Sequence, residues 1–191
     1  MENNLILYKR FLNTISEILE KRFEEQKEYI HCKKGCSHCC EKGVYPYSKV
    51  EAEYLLMGLI TLETAKRQQV IDRIKALKQT LTGEEDFKHF MYRCPLLSED
   101  GCCEVYRHRG IICRTFGLLK CEDDKVVLPF CHSLGLNYSE AYDPQTNSLV
   151  QKPEFKQAPK AYNITLKSLK DKNLFENMPD FGETKSLIEW L

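Results

Sequence analysis

The residues with the clearest chemical potential in this chain are its cysteines. The stretch His31-Cys32-Lys33-Lys34-Gly35-Cys36-Ser37-His38-Cys39-Cys40 places four of them within nine residues, and six more follow at Cys94, Cys102, Cys103, Cys113, Cys121 and Cys131. Cys36 and Cys39 form a C-x2-C pair, the spacing at which two thiolates from one tight turn reach a single metal ion. Gly35 can take the backbone angles such a turn needs. Cys32 adds a C-x3-C step in front, and Cys40 an adjacent thiol behind. Thiolates are soft ligands suited to zinc, copper(I) and iron or iron–sulfur centres, and poorly suited to calcium or magnesium.

Cys39 and Cys40 bear on how many ions there are. On an extended backbone neighbouring side chains point to opposite sides, so two adjacent cysteines serve two ions, or bridge a cluster, more readily than they share one ion. Cys32, Cys36, Cys39 and Cys40 from the first group and Cys94, Cys103, Cys113 and Cys131 from the second make eight candidate ligands. Eight thiolates fill two tetrahedral sites, or one iron–sulfur cluster with four ligands left over. Lys33, Lys34 and Lys42 in the first group, and Arg93 and Arg114 beside the second, would favour the thiolate form and offset its charge; a solvated loop face is the other reading of the lysines. The histidines are weaker candidates. His132 could replace a thiolate, whereas His31, His38, His89 and His108 read as structural or exposed.

Composition narrows the context. Hydrophobic residues make up 42% and charged residues 29%, which suits a globular chain, and its 191 residues suffice for one domain with an appendage. Lys+Arg and Asp+Glu are 28 each, for a net charge of zero, so the basic excess of a general nucleic-acid or anionic-membrane binder is missing. The apolar run near Met1 is three residues, too short for a secretory signal. No stretch approaches the roughly 20 apolar residues of a membrane span. The expected compartment is the cytoplasm, where thiols stay reduced and ten cysteines point to metal rather than to disulfides. A disulfide-rich secreted protein is the competing reading.

The elements that must position these thiols can be read around them. Leu5, Tyr8, Leu12, Ile15, Leu19 and Phe23 recur at three- and four-residue steps, with Phe11 and Ile18 widening the stripe, and predict an amphipathic helix over 4–29. Glu17 and Lys21 can pair on its outer face. Residues 30–47 form the first cysteine loop, since Gly35, Gly43 and Pro46 oppose regular structure. Ser48-Lys49-Val50-Glu51 reads as a capping box opening a helix to about residue 60, which makes Glu51 a cap partner before a metal or catalytic carboxylate. A further helix is expected over 64–81, with Val70, Ile71, Ile74, Leu77 and Leu81 as its stripe and Gly83 at its end, and a helical turn over 84–92. Cys94–Leu97 and Cys103–Tyr106 flank a turn at Ser98-Glu99-Asp100-Gly101 and read as a hairpin that sets Cys94 beside Cys103. A short helix over 107–116 holds Cys113. A second hairpin, Leu118–Cys121 with Val126–Phe130 around Glu122-Asp123-Asp124-Lys125, ends at Cys131. Residues 138–162 read as an extended wrapping segment, and 164–174 and 184–191 as short helices.

Taken together, Cys32-x3-Cys36-x2-Cys39-Cys40, Cys94-Pro95-Leu96-Leu97, Cys103-Glu104-Val105-Tyr106 and Arg109-x3-Cys113-Arg114-x-Phe116 resemble the YkgJ-type cysteine-cluster family, named for a C-x2-C-x2-C-C-like motif. The resemblance covers roughly residues 30–132 and implies a zinc- or iron-chelating domain. The family usually carries Pro where this chain has Gly110, and often Phe where it has Leu96; neither change removes a ligand. Cys102 and Cys121 fall outside the pattern and are accessory. One branch that resembles it, the flagellin lysine N-methylases, implies an iron–sulfur-dependent modifying enzyme as the alternative function.

The resulting expectation is a small, mostly α, α+β protein: a helical cysteine-rich domain with two short β-hairpins, organised by bound metal. Residues 1–29 are an N-terminal helix, 30–132 the metal-binding domain and 133–191 a C-terminal wrapping extension with short helices. Zinc, two ions per chain, is the expected cofactor, with iron or an iron–sulfur cluster as the alternative. The expected partners are metal ions and a protein partner or substrate that the sequence does not identify, with neither nucleic acid nor membrane. No Gly-rich nucleotide loop, HExxH helix or nucleophile elbow supports an enzyme, so catalysis stays open.

Overall fold

In the computed structural model residues 3–83, 86–87, 89–122, 125–146, 148–164, 168–169, 175 and 177–191 are described. The architecture is α+β with helices predominant. The helices are α1 (Asn4–Glu25), α2 (His38–Glu41), α3 (Lys49–Ile60), α4 (Thr64–Gln79), α5 (Ile111–Thr115) and α6 (Leu187–Trp190). The strands are β1 (Pro46–Ser48), β2 (Lys120–Glu122), β3 (Lys125–Val127), β4 (Tyr142–Asp143), β5 (Ser148–Leu149) and β6 (Thr184–Ser186), which pair antiparallel as β1–β6, β2–β3 and β4–β5. Chain contacts divide into two compact units. The first comprises 1–10, 35–114 and 179–191; the second comprises 11–34 and 115–178. No helix among the described residues is long and apolar enough to cross a membrane.

Helix α1 contributes its opening turns to the first unit and the rest to the second. Tyr8, Phe11, Leu12, Ile15 and Leu19 are buried, as the three- and four-residue spacing requires. The helix stops at Glu25, short of residue 29. Gln26 leaves helical geometry and Lys27–Tyr29 tighten into a 3-10 turn that buries Tyr29. In the first unit Tyr8 meets Tyr54 and Phe181 edge-on, with ring centroids 5.5 and 6.2 Å apart.

The frame of the first unit is the β1–β6 pair, with Pro46 opposite Ser186 and Ser48 opposite Thr184. Each strand ends in the same device. Ser48 and Glu51 form the expected capping box at the head of α3, and Ser186 and Glu189 form a second one at the head of α6. Residues 184–191, expected to be wholly helical, therefore begin as a strand. In α4 only Val70 and Ile74 of the expected stripe are buried, and Ile71 is exposed. The turn expected over 84–92 appears in its described part, where His89 and Phe90 donate backbone hydrogen bonds to the Asp86 carbonyl.

The hairpin expected at 94–106 is reduced to one bridge, Leu97 with Cys103, extended by Glu104 N–H to the Leu96 carbonyl. A short side-chain-capped turn (Ser98 Oγ accepts from the Cys102 N–H) replaces a longer ladder.

In the second unit the β2–β3 hairpin places Cys121 opposite Val126, as expected, but the chain then closes into a 3-10 turn over Phe130–Leu134, so Cys131 sits on a turn and not at a strand end. Residues 123–124 of that hairpin lie outside the described residues, as does most of the helix expected over 164–174. The core here is Tyr29, Leu119, Tyr138 and Ala141, with Tyr29 stacked on Tyr138 at 5.6 Å. Burial of each such aromatic contributes about 1.5–3 kcal/mol.

Candidate metal centre

Three segments carry thiols into the first unit: the loop through α2, the strand-like run 92–103, and α5. Backbone pairing joins the first two. Gly43 and Tyr92 exchange hydrogen bonds of 3.2 and 3.1 Å, and the Cys94 N–H donates to the Cys40 carbonyl at 2.8 Å. This register carries Cys94 alongside Cys40. Gly43 has to be glycine here, because a Cβ at that position would stand 2.9 Å from the Cys39 carbonyl oxygen and 3.0 Å from the Tyr45 ring.

Cys39 and Cys40 lie on one short helical turn, α2, and not on extended backbone. The premise that they face opposite sides therefore does not hold, and a hydrogen bond from the Cys39 thiol is the main reason the Cys40 pKa falls to about 7. Arg109 and Arg93 lower it further.

Helix α5 is set by Glu51. Its carboxylate accepts the Ser48 N–H at 2.9 Å and, through the other oxygen, the Ile111 N–H at 2.8 Å. One buried side chain thus caps α3 and holds the first turn of α5, and burial raises its pKa. Arg114 braces the approach to α5. Its Nε donates to the Arg109 carbonyl at 3.0 Å and its Nη2 to the Arg107 carbonyl at 2.9 Å, so the guanidinium is engaged by loop carbonyls. Arg109 lies 3.5 Å above the Tyr106 ring and lowers the pKa values of Cys40, Cys103 and Cys113.

Cys40 raises the cost of ionising Cys94, Cys103 and Cys113; Cys103 does so for Cys94 and Cys113, and Cys113 for Cys94. Burial is the larger effect. It lifts Cys94 well above the ordinary thiol value, Cys103 to about 11 and Cys113 to about 12. Three such thiols, with the more readily ionised Cys40 in the same unit, have the chemistry of donors to a soft cation, which can take the place of their protons. Among the described residues no group of three or more Cys, His, Asp or Glu side chains is drawn in to coordinating distance around one point.

The other candidates divide. Cys36 and Cys39 belong to the first unit. Cys32 and Cys131 belong to the second, where Cys32 Sγ accepts a 3.3 Å hydrogen bond from the amide of buried Asn137, and Cys131 is buried. Cys102 is exposed in the 98–102 turn, and Cys121 lies in β2. Four of the five histidines meet other partners: His31 lies 3.6 Å from Glu140, His89 meets Asp86, His108 packs against Tyr54, and His132 is edge-on to Tyr142.

Two tyrosines that the spacing of cysteines did not bring out line this site. Tyr45 and Tyr47, two apart on extended backbone, are both fully buried. Tyr45 donates toward the Cys39, Cys40 and Tyr92 carbonyls at 3.1, 3.1 and 3.2 Å. Tyr47 Oη lies 3.2 Å from Cys113 Sγ. Their alternation, directly after the cysteine loop, was the available signal.

The raised thiol pKa values fix a pH dependence for protein stripped of metal. Cys103 and Cys113 stay protonated in the folded state after the unfolded chain has begun to ionise near the ordinary value of 9.0. Their contribution is therefore complete below that value and is lost as pH rises toward about 11 and 12. Cys40, already ionised in both states there, adds no slope. The unfolding free energy of the metal-free protein, read by denaturant titration, should fall steeply above pH 9, by about 1.4 kcal/mol per pH unit for each thiol. A flat profile through that range would mean the thiols are solvated.

No curated protein and no solved structure matches the chain. Residues 31–132 match the CxxCxxCC family, described as a "Putative zinc- or iron-chelating domain". That match begins at the first cysteine loop, passes through α5 and ends beside Cys131, so it takes in all the thiols of both groups. It spans more than half of the sequence, and the chain belongs to this cysteine-cluster, zinc- or iron-chelating family.

Proposed function

We propose that the protein is a metal-binding protein whose primary centre is formed by Cys40, Cys94, Cys103 and Cys113 and is loaded with zinc. The observation that supports this reading is that Cys94, Cys103 and Cys113, from two separate segments of one unit, are poorly hydrated, and that Cys40 from a third segment raises the cost of ionising all three. Burial keeps Cys94, Cys103 and Cys113 as thiols, whereas a divalent cation would offset the negative charge of their thiolates. Zinc suits four thiolates without geometric preference. Closed four-thiolate coordination leaves no open position for substrate, so the ion's role is to hold the cysteine loop, the 92–103 run and α5 together. Cys36 and Cys39 are the reserve ligands of the same unit. Cys32 and Cys131 complete the eight-thiolate set and are assigned to any second ion.

Anaerobic purification followed by elemental analysis and an absorption spectrum tests this reading. Colourless protein with stoichiometric zinc is the expected result. Brown protein carrying iron and inorganic sulfide, with visible absorbance that bleaches on reduction, would replace zinc with an iron–sulfur cluster and favour the modifying-enzyme alternative.

A further inference from the structure

Tyr47 holds an unusual position. Its ring is buried, its backbone carbonyl accepts the Trp190 indole N–H at 2.9 Å, and its hydroxyl meets two groups at the head of α5. The Gly110 N–H donates to Tyr47 Oη at 3.0 Å, and Cys113 Sγ lies 3.2 Å from the same oxygen. A phenol oxygen has one hydrogen to give. With Gly110 donating to the oxygen, that hydrogen is free to point along the remaining contact, toward sulfur. The arrangement leaves little room to change. A Cβ at Gly110 would stand 2.8 Å from the Tyr47 ring and 2.9 Å from Glu51 Oε1, so the glycine lets its own N–H come close to the hydroxyl. Glu51, by accepting the Ile111 N–H, fixes the next residue and with it the start of α5 on which Cys113 rides.

We propose that Tyr47 is a positioning residue that donates its phenolic hydrogen to the Cys113 sulfur, and that Gly110 sets the direction of that hydrogen bond. The inference rests on Cys113 being a ligand, as proposed above. A donated hydrogen bond draws electron density from a thiolate, so it favours the ionised sulfur over the thiol and makes the sulfur a weaker electron donor to its metal. It also fixes the Cys113 side chain, so this ligand is oriented before the ion arrives. Tyr45 does not share the role: its hydroxyl points at carbonyl oxygens.

The test uses the full chain with its metal replaced by cobalt(II), whose sulfur-to-metal charge-transfer bands report the electron richness of the thiolates. Tyr47→Phe keeps the buried ring and removes only the hydroxyl. The variant should retain cobalt stoichiometry, shift the charge-transfer bands to lower energy and bind cobalt about 10- to 100-fold more weakly. A merely structural tyrosine would change the melt and leave the bands in place. Unchanged bands and affinity in a variant that binds cobalt would overturn the proposal while leaving the metal centre standing. Absence of sulfur-to-cobalt bands in the unmodified protein would instead remove the centre itself and this proposal with it. Should Tyr47→Phe not fold, the unmodified protein loaded with an NMR-active cadmium isotope gives a second reading. Scalar coupling between cadmium and the Tyr47 hydroxyl proton is expected across the Cys113 sulfur. A resolved hydroxyl proton without that coupling would overturn the assignment.

Discussion

Stripping the metal with a strong chelator should lower the melting temperature by tens of degrees. The reason lies in residues 31–42, none of which is buried. This stretch contains cysteine, lysine, glycine, serine, histidine and glutamate and no aliphatic or aromatic core residue, so the hydrophobic effect cannot hold it in place. Its local structure is a four-residue helix with backbone bonds from Cys40 and Glu41 to the Ser37 carbonyl, and an exposed ion pair of Arg93 with Glu41 at 2.9 Å. Bonds of that kind are individually worth about 1 kcal/mol or less. A structural zinc contributes on the order of 10 kcal/mol in small peptides, because ligand assembly and folding are one event. For a chain of this length each kcal/mol moves the melting temperature by about 2–4 °C. Calorimetry of loaded and stripped protein makes the comparison. Equal melting temperatures after verified removal would mean that the loop is held by something other than metal.

The second large effect concerns individual thiols. Cys94→Ala and Cys113→Ala should each abolish metal retention, and Cys40→Ala and Cys103→Ala should do the same or nearly so. Removing one of four thiolates leaves three sulfur ligands around an ion with an open position. The raised pKa values of Cys94, Cys103 and Cys113 then return whichever of them remain to the protonated state at neutral pH. Cys102→Ala should keep full metal content, since Cys102 is exposed on the 98–102 turn and its sulfur only approaches the Asp100 carbonyl at 4.0 Å. Cys121→Ala should also keep it, because the register of β2 is held by backbone bonds and by the Cys121 N–H to the Tyr162 carbonyl at 3.0 Å. Elemental analysis of the purified variants reads the outcome. Full metal in both Cys94→Ala and Cys113→Ala would take the centre away from this unit.

Several features of the site were legible in the sequence because their physics is local. The Ser48–Glu51 box is a three-residue spacing with one dominant explanation, and it forms; the same carboxylate also reaches Ile111, sixty residues away, which no local rule anticipates. The stripe of α1 buries Tyr8, Leu12, Ile15 and Leu19 with Phe11, and leaves Leu5, Ile18 and Phe23 partly exposed. Other features depend on long-range pairing. The three-residue strands β1 and β6 are too short to show alternation, and Pro46 meets Ser186 only once the chain has returned. The turn through Cys39 and Cys40 has no apolar period by which a helix could be read, so an extended backbone was the natural assumption and the wrong geometry for that pair. Tyr45 and Tyr47 carried a clear period of two, but cysteine spacing alone says nothing of the hydroxyls that surround the sulfurs.

The central claim is that one ion is held by four sulfurs, and X-ray absorption at the edge of the bound metal measures this most directly. Anaerobically purified protein should show about four sulfur ligands near 2.3 Å and no nitrogen or oxygen shell. Tyr47→Phe should preserve that count, whereas Cys94→Ala and Cys113→Ala should leave no metal to measure. A first shell dominated by nitrogen or oxygen, or one with fewer than three sulfurs, would contradict a centre built from Cys40, Cys94, Cys103 and Cys113.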